Sequence, residues 1–140
     1  MVANVFHRLR ALALAVFVIA FAVPALAGSF EDAVGKFATD DFSDTEEAIG
    51  VVASSGNSLA YPIISALQDE RLMFDADSKK VYIKQADGKA IDAATGAAVD
   101  SIPDSASAVT LNNRLRRTVE AALGGLTLLS PEVATRITAA

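Results

Sequence analysis

An apolar run near the start of the chain limits what the rest can fold into. Arg8 and Arg10 precede a segment, Ala11 to Val23, that contains no polar residue. Ala25-Leu26-Ala27 then supplies small residues at the positions that a signal peptidase reads. A basic start, a short apolar run and an A-x-A end are typical of a secretory signal. We therefore predict that residues 1–27 are a cleaved signal peptide and that the protein is exported. An uncleaved anchor is the alternative, although a membrane-spanning helix needs about 20 apolar residues.

The rest of the chain, residues 28–140, has the length of one domain with a modest core. The whole chain carries a net charge of −5, and the two arginines that precede the apolar segment would be lost on cleavage, so the mature part is more acidic still. This balance argues against nucleic acid and against anionic membrane surfaces as partners. The chain contains no cysteine, so its stability must come from packing and not from disulfide bonds.

The residue types needed for most catalytic centres are missing from the mature part. The only histidine is His7, in the predicted signal, and there is no cysteine. These absences exclude Ser-His-Asp and Cys-His catalysis and the common zinc sites. Neither G-x-x-x-x-G-K-[ST] nor G-x-G-x-x-G occurs, so the nucleotide-binding fingerprints are absent. Asp75-Ala76-Asp77 lacks the glycine and the distant glutamate of a calcium loop. We predict no catalytic, cofactor-binding or metal-binding residue, and a protein that is not an enzyme.

Residues 28–70 carry the signals of short helices. Ser43 followed by Glu46 predicts a capping box at the start of one helix. Gly56 suits a left-handed position after the end of that helix, and Pro62 is tolerated in the first turn of the next. An apolar stripe at helical spacing precedes both: Phe30, Val34, Phe37. Two antiparallel helices joined by a short turn would form an αα-hairpin.

Residues 71–103 predict strands. Arg71-Leu72-Met73-Phe74 and Val81-Tyr82-Ile83-Lys84 are interpreted as short strands with alternating faces. Asp87-Gly88 is a hairpin-turn signal, and Thr95-Gly96 marks a further turn. We interpret this segment as a small β-meander inserted between helical pairs and closed by a proline.

Residues 104–140 return to helical spacing. One continuous apolar face is formed at alternating intervals of four and three: Leu111, Leu115, Val119, Ala122, Leu126, Leu129. Ser130-Pro131 stops that helix and favours the start of another, in which Val133 and Ile137 share one side. We interpret this last stretch as the start of an incomplete further repeat, and we expect the reading frame to continue beyond Ala140.

A polar and basic motif opens the long helix of this region. Its five residues are those that we single out for a structural or docking role: Asn112, Asn113, Arg114, Arg116, Arg117. The asparagines are expected to cap the helix. One hypothesis pairs the arginines with nearby acids: Asp100, Asp104 or acids of the strand segment, and Glu120 for Arg116. The other hypothesis makes them a docking face for the acidic surface of a partner.

Two motifs carry a resemblance to a known family. Leu111-Asn112-Asn113-Arg114-Leu115-Arg116-Arg117, followed by Leu126-Thr127-Leu128-Leu129-Ser130-Pro131, resembles the exported N-terminal region of urea-type ABC transporter permeases, which belong to the branched-chain amino-acid permease group. The order of signal, helical pair, strand segment and helix is also similar, and the resemblance covers essentially all of residues 28–140. Gly56-Asn57-Ser58-Leu59-Ala60-Tyr61-Pro62-Ile63-Ile64 looks like the turn and second helix of a HEAT-type repeat.

The resemblance implies a mostly α fold of HEAT-like antiparallel helical pairs with a small inserted β-meander. It implies a structural or docking role at the periplasmic face of the bacterial inner membrane, in a permease for urea or short amides. The implied partners are the transporter ATPases and a periplasmic urea-binding protein. None of the membrane bundle that forms the permease path lies within residues 1–140, so no translocation residue is carried over. The alternative is a free-standing periplasmic protein-interaction module of HEAT-like type.

Overall fold

The computed structural model describes the backbone of residues 24–129 and the side chains of residues 29–129. The predicted signal run before Pro24 and the predicted helix after Ser130 lie outside the described residues.

The described backbone contains four α-helices. They are α1 Pro24–Gly35, α2 Phe42–Ser54, α3 Ala60–Gln68 and α4 Asn113–Leu128, with a 3-10 turn Lys36–Thr39 after α1. Within residues 24–129, none of these helices combines the length and the apolar character that crossing a bilayer requires.

Five strands lie between α3 and α4 in the sequence. They are β1 Leu72–Asp75, β2 Lys80–Lys84, β3 Ala90–Asp92, β4 Ala98–Val99 and β5 Ser107–Ala108. They form one antiparallel sheet in the order β4-β3-β2-β1-β5. The predicted turns are confirmed: Gly88 and Gly96 have φ angles of 83° and 76°, and each lies between two neighbouring strands of the sheet.

The start of α2 differs from the predicted capping box. Asp41, with extended backbone (φ −114°, ψ 132°), is the N-cap, and its carboxylate accepts hydrogen bonds from the backbone N–H groups of Ser43 and Asp44. The helix therefore begins at Phe42, and Ser43 lies inside its first turn. The prediction that Ser43 caps the helix is wrong because the aspartate two residues earlier already satisfies these free N–H groups.

The turn between α2 and α3 follows the prediction. Gly56 has a φ angle of +70°, a conformation that costs glycine no Cβ clash. Pro62 lies in the first turn of α3, where its missing N–H removes no helical hydrogen bond. The apolar side chains that follow it, Ile63, Ile64 and Leu67, have no exposed surface.

The sheet and the helices share one hydrophobic core, so the prediction of a mostly α, HEAT-like fold is wrong. Leu72 of β1 and Ile83 of β2 belong to the same buried cluster as Leu67 of α3 and Leu115 of α4. The chain is a mixed α/β fold with a five-stranded antiparallel sheet. The error has a physical reason: the strands do not form an insertion beside stacked helical pairs, because their apolar face packs directly on the helices.

The last helix packs back on the first hairpin. α4 contacts both α2 and α3, and its Leu115 and Val119 are 1 % exposed. It is therefore joined to the rest of the fold through the α2–α3 hairpin.

The connection from β4 to β5 crosses the outer face of the sheet. β4 and β5 are opposite edges of five strands, roughly 19 Å apart at about 4.8 Å per strand. Residues 100–106 bridge that distance with a turn, in which the backbone N–H of Ala106 donates to the carbonyl of Pro103 at 3.0 Å. The helices occupy the inner face, so this segment, here called the strap, lies over the outer one. Tyr82, which points to the outer face, is accordingly only 5 % exposed.

Candidate interaction surface

Asn112 places the basic motif at the start of α4. Its side-chain oxygen accepts the backbone N–H of Leu115 at 2.9 Å, and its backbone carbonyl accepts the N–H of Arg116 at 3.0 Å. This is the N-cap that the sequence predicted. Asn113 is the first residue inside the helix and is exposed, so only one of the two asparagines caps the helix.

Arg114 pairs with α2. Its Nε and Nη2 groups donate to the same oxygen, Oε1 of Glu46, at 3.2 and 3.0 Å. The arginine side chain is 74 % exposed and the glutamate 36 %, so water screens the pair and its contribution to the free energy of unfolding is about 1 kcal/mol or less. The contact joins residues that are 68 positions apart, and it therefore orients α4 on α2.

Arg116 pairs with the segment between α3 and β1. Its Nη2 donates to Oε1 of Glu70 at 3.3 Å, and both side chains are more than half exposed. Glu70 has a left-handed backbone, with a φ of 58°. Two carboxylates from two different elements thus lie beside the first turns of α4, where they offset the unfavourable position of cations near a helix N-terminus.

Arg117 is different from its two neighbours. It is exposed, and among the described residues no carboxylate forms an ion pair with it. Its helical position, three residues after Arg114 and four before Ala121, places it on the side of α4 that faces away from the core. The motif therefore combines two cations that hold the helix in place with one cation directed outward.

The partners of the arginines are not those that the sequence predicted. Asp100, Asp104 and Glu120 were the expected acids, whereas the structure brings Glu46 and Glu70 to the motif. The sequence does not predict either pair, because Glu46 and Glu70 are far from α4 along the chain. Only the packing of α4 on the α2–α3 hairpin brings them close to the motif. Glu46 was singled out in the sequence for a different reason: its position three residues after Ser43 predicts a capping box, not a partner for Arg114.

Of two clefts in the described fold, one is small, and the other is lined by serine hydroxyls that already form hydrogen bonds. A cleft of about 50 Å³ is lined by Gln68, Leu111, Arg116, Val119 and Glu120, far below the several hundred Å³ of typical ligand pockets. A half-open cleft of about 340 Å³ lies at the other end of α2, beside Ser54 and Ser55. The hydroxyls of those serines already donate hydrogen bonds to backbone carbonyls of α2, so they stabilise the C-terminal end of that helix.

Asp75 is the one buried carboxylate among the described residues, and its hydrogen bonds join parts of the fold. Its Oδ2 accepts the hydroxyl of Ser78 at 2.5 Å, and its Oδ1 accepts the hydroxyl of Ser105 at 3.0 Å. The hydrogen bond from Ser78, opposed by burial, holds the pKa of Asp75 below its usual value. The carboxylate thus joins the β1–β2 turn to the strap. Within residues 29–129, no three acidic or other ligating side chains are close enough together to hold a metal ion.

Comparisons with models of known families, with curated proteins and with solved structures found no match. The basic motif is therefore the feature on which a functional proposal depends, through its own geometry and its sequence.

Proposed function

We propose that this chain is the exported N-terminal region of a urea-type ABC transporter permease and that it has a structural or docking role in the assembled transporter. The resemblance of the N-N-R-L-R-R and T-L-L-S-P motifs supports the family. The docking role is proposed because the arginines of the basic motif differ. Arg114 and Arg116 form ion pairs within the fold, whereas Arg117 points outward. A single outward cation beside two fixed ones suits contact with a carboxylate of a partner.

The predicted cleavage site after Ala27 lies within α1, Pro24–Gly35. The buried side chains of α1 that the structure describes, among them Phe30 and Val34, all follow Ala27. Cleavage there would leave these buried side chains in the mature protein. N-terminal sequencing of exported protein should begin at Gly28, whereas an intact Met1 on membrane-bound material would support the anchor.

The family proposal has a direct test in the gene. If the chain belongs to such a permease, the reading frame continues past codon 140 into several apolar segments of about 20 residues. A stop codon there, together with a soluble periplasmic product, would reject the permease. It would favour the second candidate, a free-standing periplasmic interaction module, which the outward-facing Arg117 also suits.

The docking role is tested at Arg117. We expect Arg117→Glu to weaken binding to the transporter's periplasmic urea-binding protein about two- to five-fold, the effect of one exposed charge pair, with an unchanged denaturation midpoint. Lys89→Glu is the control, because Lys89 is another exposed cation, 77 % exposed, which lies in the turn between β2 and β3 beside Asp87. Titration calorimetry of both variants measures the difference. Equal binding by the two variants would leave the motif with a structural role only.

A further inference from the structure

The outer face of the sheet carries buried apolar side chains that do not belong to the main core. Because side chains alternate between the two faces of a strand, Tyr82 points away from its neighbours Val81 and Ile83, which lie in the core. Ala90 of β3 pairs with Lys84 and shares the face of Tyr82. Tyr82 is 5 % exposed and Ala90 2 % exposed, yet neither belongs to the cluster that the sheet shares with the helices. The strap, which crosses this face, therefore covers them.

Few contacts hold the strap to the sheet. Of residues 100–106, only Ile102 and Ala106 are partly buried, and the other five are exposed. The backbone hydrogen bond of Ala106 is made to Pro103, within the strap itself. Among the described residues, the hydroxyl of Ser105 makes the only hydrogen bond from this segment to the sheet, to Oδ1 of Asp75 at 3.0 Å. A segment with few buried apolar contacts and few hydrogen bonds opens locally at a small cost in free energy.

The acceptor of this hydrogen bond is fixed to the sheet independently of the strap. Oδ2 of Asp75 accepts the hydroxyl of Ser78 at 2.5 Å and its backbone N–H at 3.3 Å, so the β1–β2 turn holds the carboxylate in place. A hydrogen bond to an ionised carboxylate is roughly twice as strong as one between neutral groups. Protonation of Asp75 therefore weakens the contact with Ser105, which alone ties the strap to the sheet.

The other charged groups around Asp75 are exposed and of both signs. Lys80 is its cross-strand partner on β2, Asp77 and Lys79 lie in the β1–β2 turn, and Asp104 lies on the strap. All four are exposed, and among the described residues none of them forms an ion pair. Water and salt screen such charges, so the charge state of the buried carboxylate is the one that acts directly on the strap.

We propose that the strap is an acid-released cover: protonation of Asp75 detaches residues 100–106 from the outer face and exposes Tyr82, while the helices and the rest of the sheet stay folded. The hydrogen bond from Ser78, opposed by burial, holds the pKa of Asp75 below its usual value. The cover is therefore closed at neutral pH and opens as the pH falls through the folded value. The inference does not depend on the transporter proposal.

The fluorescence of Tyr82 tests the opening, because the chain contains two tyrosines and no tryptophan and Tyr61→Phe leaves Tyr82 as the one reporter. From pH 7 down to pH 3, we expect the acrylamide quenching constant to rise at least several-fold while the helical circular dichroism is unchanged. Asp75→Asn keeps an acceptor oxygen but does not titrate, so its quenching should not depend on pH. A constant that does not rise, that rises only as the helices unfold, or that still rises in Asp75→Asn would overturn the proposal.

A second variant tests the tie at neutral pH without changing the carboxylate. Ser105→Ala removes the hydroxyl of an exposed strap residue and leaves the contacts between Asp75 and Ser78 in place. At pH 7 its quenching constant should approach the acid value of the unchanged chain and should then depend little on pH. Ser101→Ala is the matched control, since Ser101 is another exposed serine of the strap and has no hydrogen bond to Asp75. Equal quenching in the two serine variants at pH 7 would also reject the cover.

Discussion

At the residue scale, two adjacent asparagines make different contributions to the same helix. Asn112 accepts the backbone N–H of Leu115, whereas Asn113 is already inside α4. We expect Asn112→Ala to lower the free energy of unfolding by about 1 kcal/mol, because it leaves a helix-terminal N–H without its partner. Urea denaturation monitored by circular dichroism measures this loss.

Asn113→Ala is the control for the cap, since it changes the same residue type one position later. Its effect should stay within about 0.5 kcal/mol, as for an exposed substitution that breaks no specific contact. If the two variants lose the same stability, the hydrogen bond of Asn112 is not what stabilises the start of α4.

Caps also show how far single residues were predictable. Asn112 was predicted because a side-chain acceptor directly precedes a helical apolar pattern. At α2 the sequence analysis selected Ser43, whereas the N-cap is Asp41, two residues earlier. What decides is backbone conformation: Asp40 is left-handed and Asp41 extended, and local residue preferences do not determine which of several polar residues takes the extended position.

At the scale of elements, Asp75 holds the strap to the sheet. Removing its carboxylate in Asp75→Ala leaves the hydroxyls of Ser78 and Ser105 without their acceptor, so we expect a clear loss of stability and easier proteolysis of residues 100–106. Because its pKa is lowered in the folded state, the contribution of Asp75 is present above the unfolded pKa, about 3.9. It is lost as the pH falls through the folded value. Urea denaturation from pH 7 down to pH 3 measures it.

The exposed carboxylate of Asp77 provides the comparison. Asp77→Ala should change stability little at any pH. The stability difference between the unchanged protein and Asp75→Ala should shrink below about pH 4. A difference that stays constant across this range would mean that the side chain contributes through packing and not through its charge.

The strap and β5 mark the limit of prediction for elements. β1 and β2 were predicted nearly to the residue because each is a short run of apolar, strand-favouring residues bounded by polar ones. β5 is Ser107–Ala108, two small residues without an apolar side chain that would indicate a strand. It is a strand only because the strap places it beside the free edge of β1. Its pairing is a long-range property, and so is the burial of Tyr82 under the strap.

At the scale of the whole molecule, the sequence identified most elements and misjudged how they combine. Apolar periodicity shows which side of a helix or strand is buried, but not against which element. The stripes of the helical region and of the strand region fit either stacked repeats beside a separate meander or a single shared core. Leu72, Leu67 and Leu115 lie in one cluster, so the second arrangement is the one adopted. The five residues of the basic motif were found because they lie close together in the sequence. Their acidic partners, Glu46 and Glu70, were missed because they are distant in the sequence.

A single core predicts that the sheet and the helices unfold together. Leu72 lies on β1 and has no exposed surface. We expect Leu72→Ala to cost about 2–5 kcal/mol, the usual range for a buried leucine. The helical circular dichroism and the near-ultraviolet signal of Tyr82 should then shift to the same lower denaturant midpoint. The second tyrosine, Tyr61, is replaced by Phe in all variants so that Tyr82 alone reports on the sheet.

Met73→Ala is the matched control for this prediction. Met73 is the next residue of the same strand, points to the outer face of the sheet and is only partly buried, so it should cost less and leave the two transitions coincident. A strand segment that folded apart from the helices would give a different result. Leu72→Ala would then lower the midpoint of the Tyr82 signal and leave the helical transition in place. Coincident shifts in Leu72→Ala are expected because its side chain is buried among residues of both the helices and the sheet.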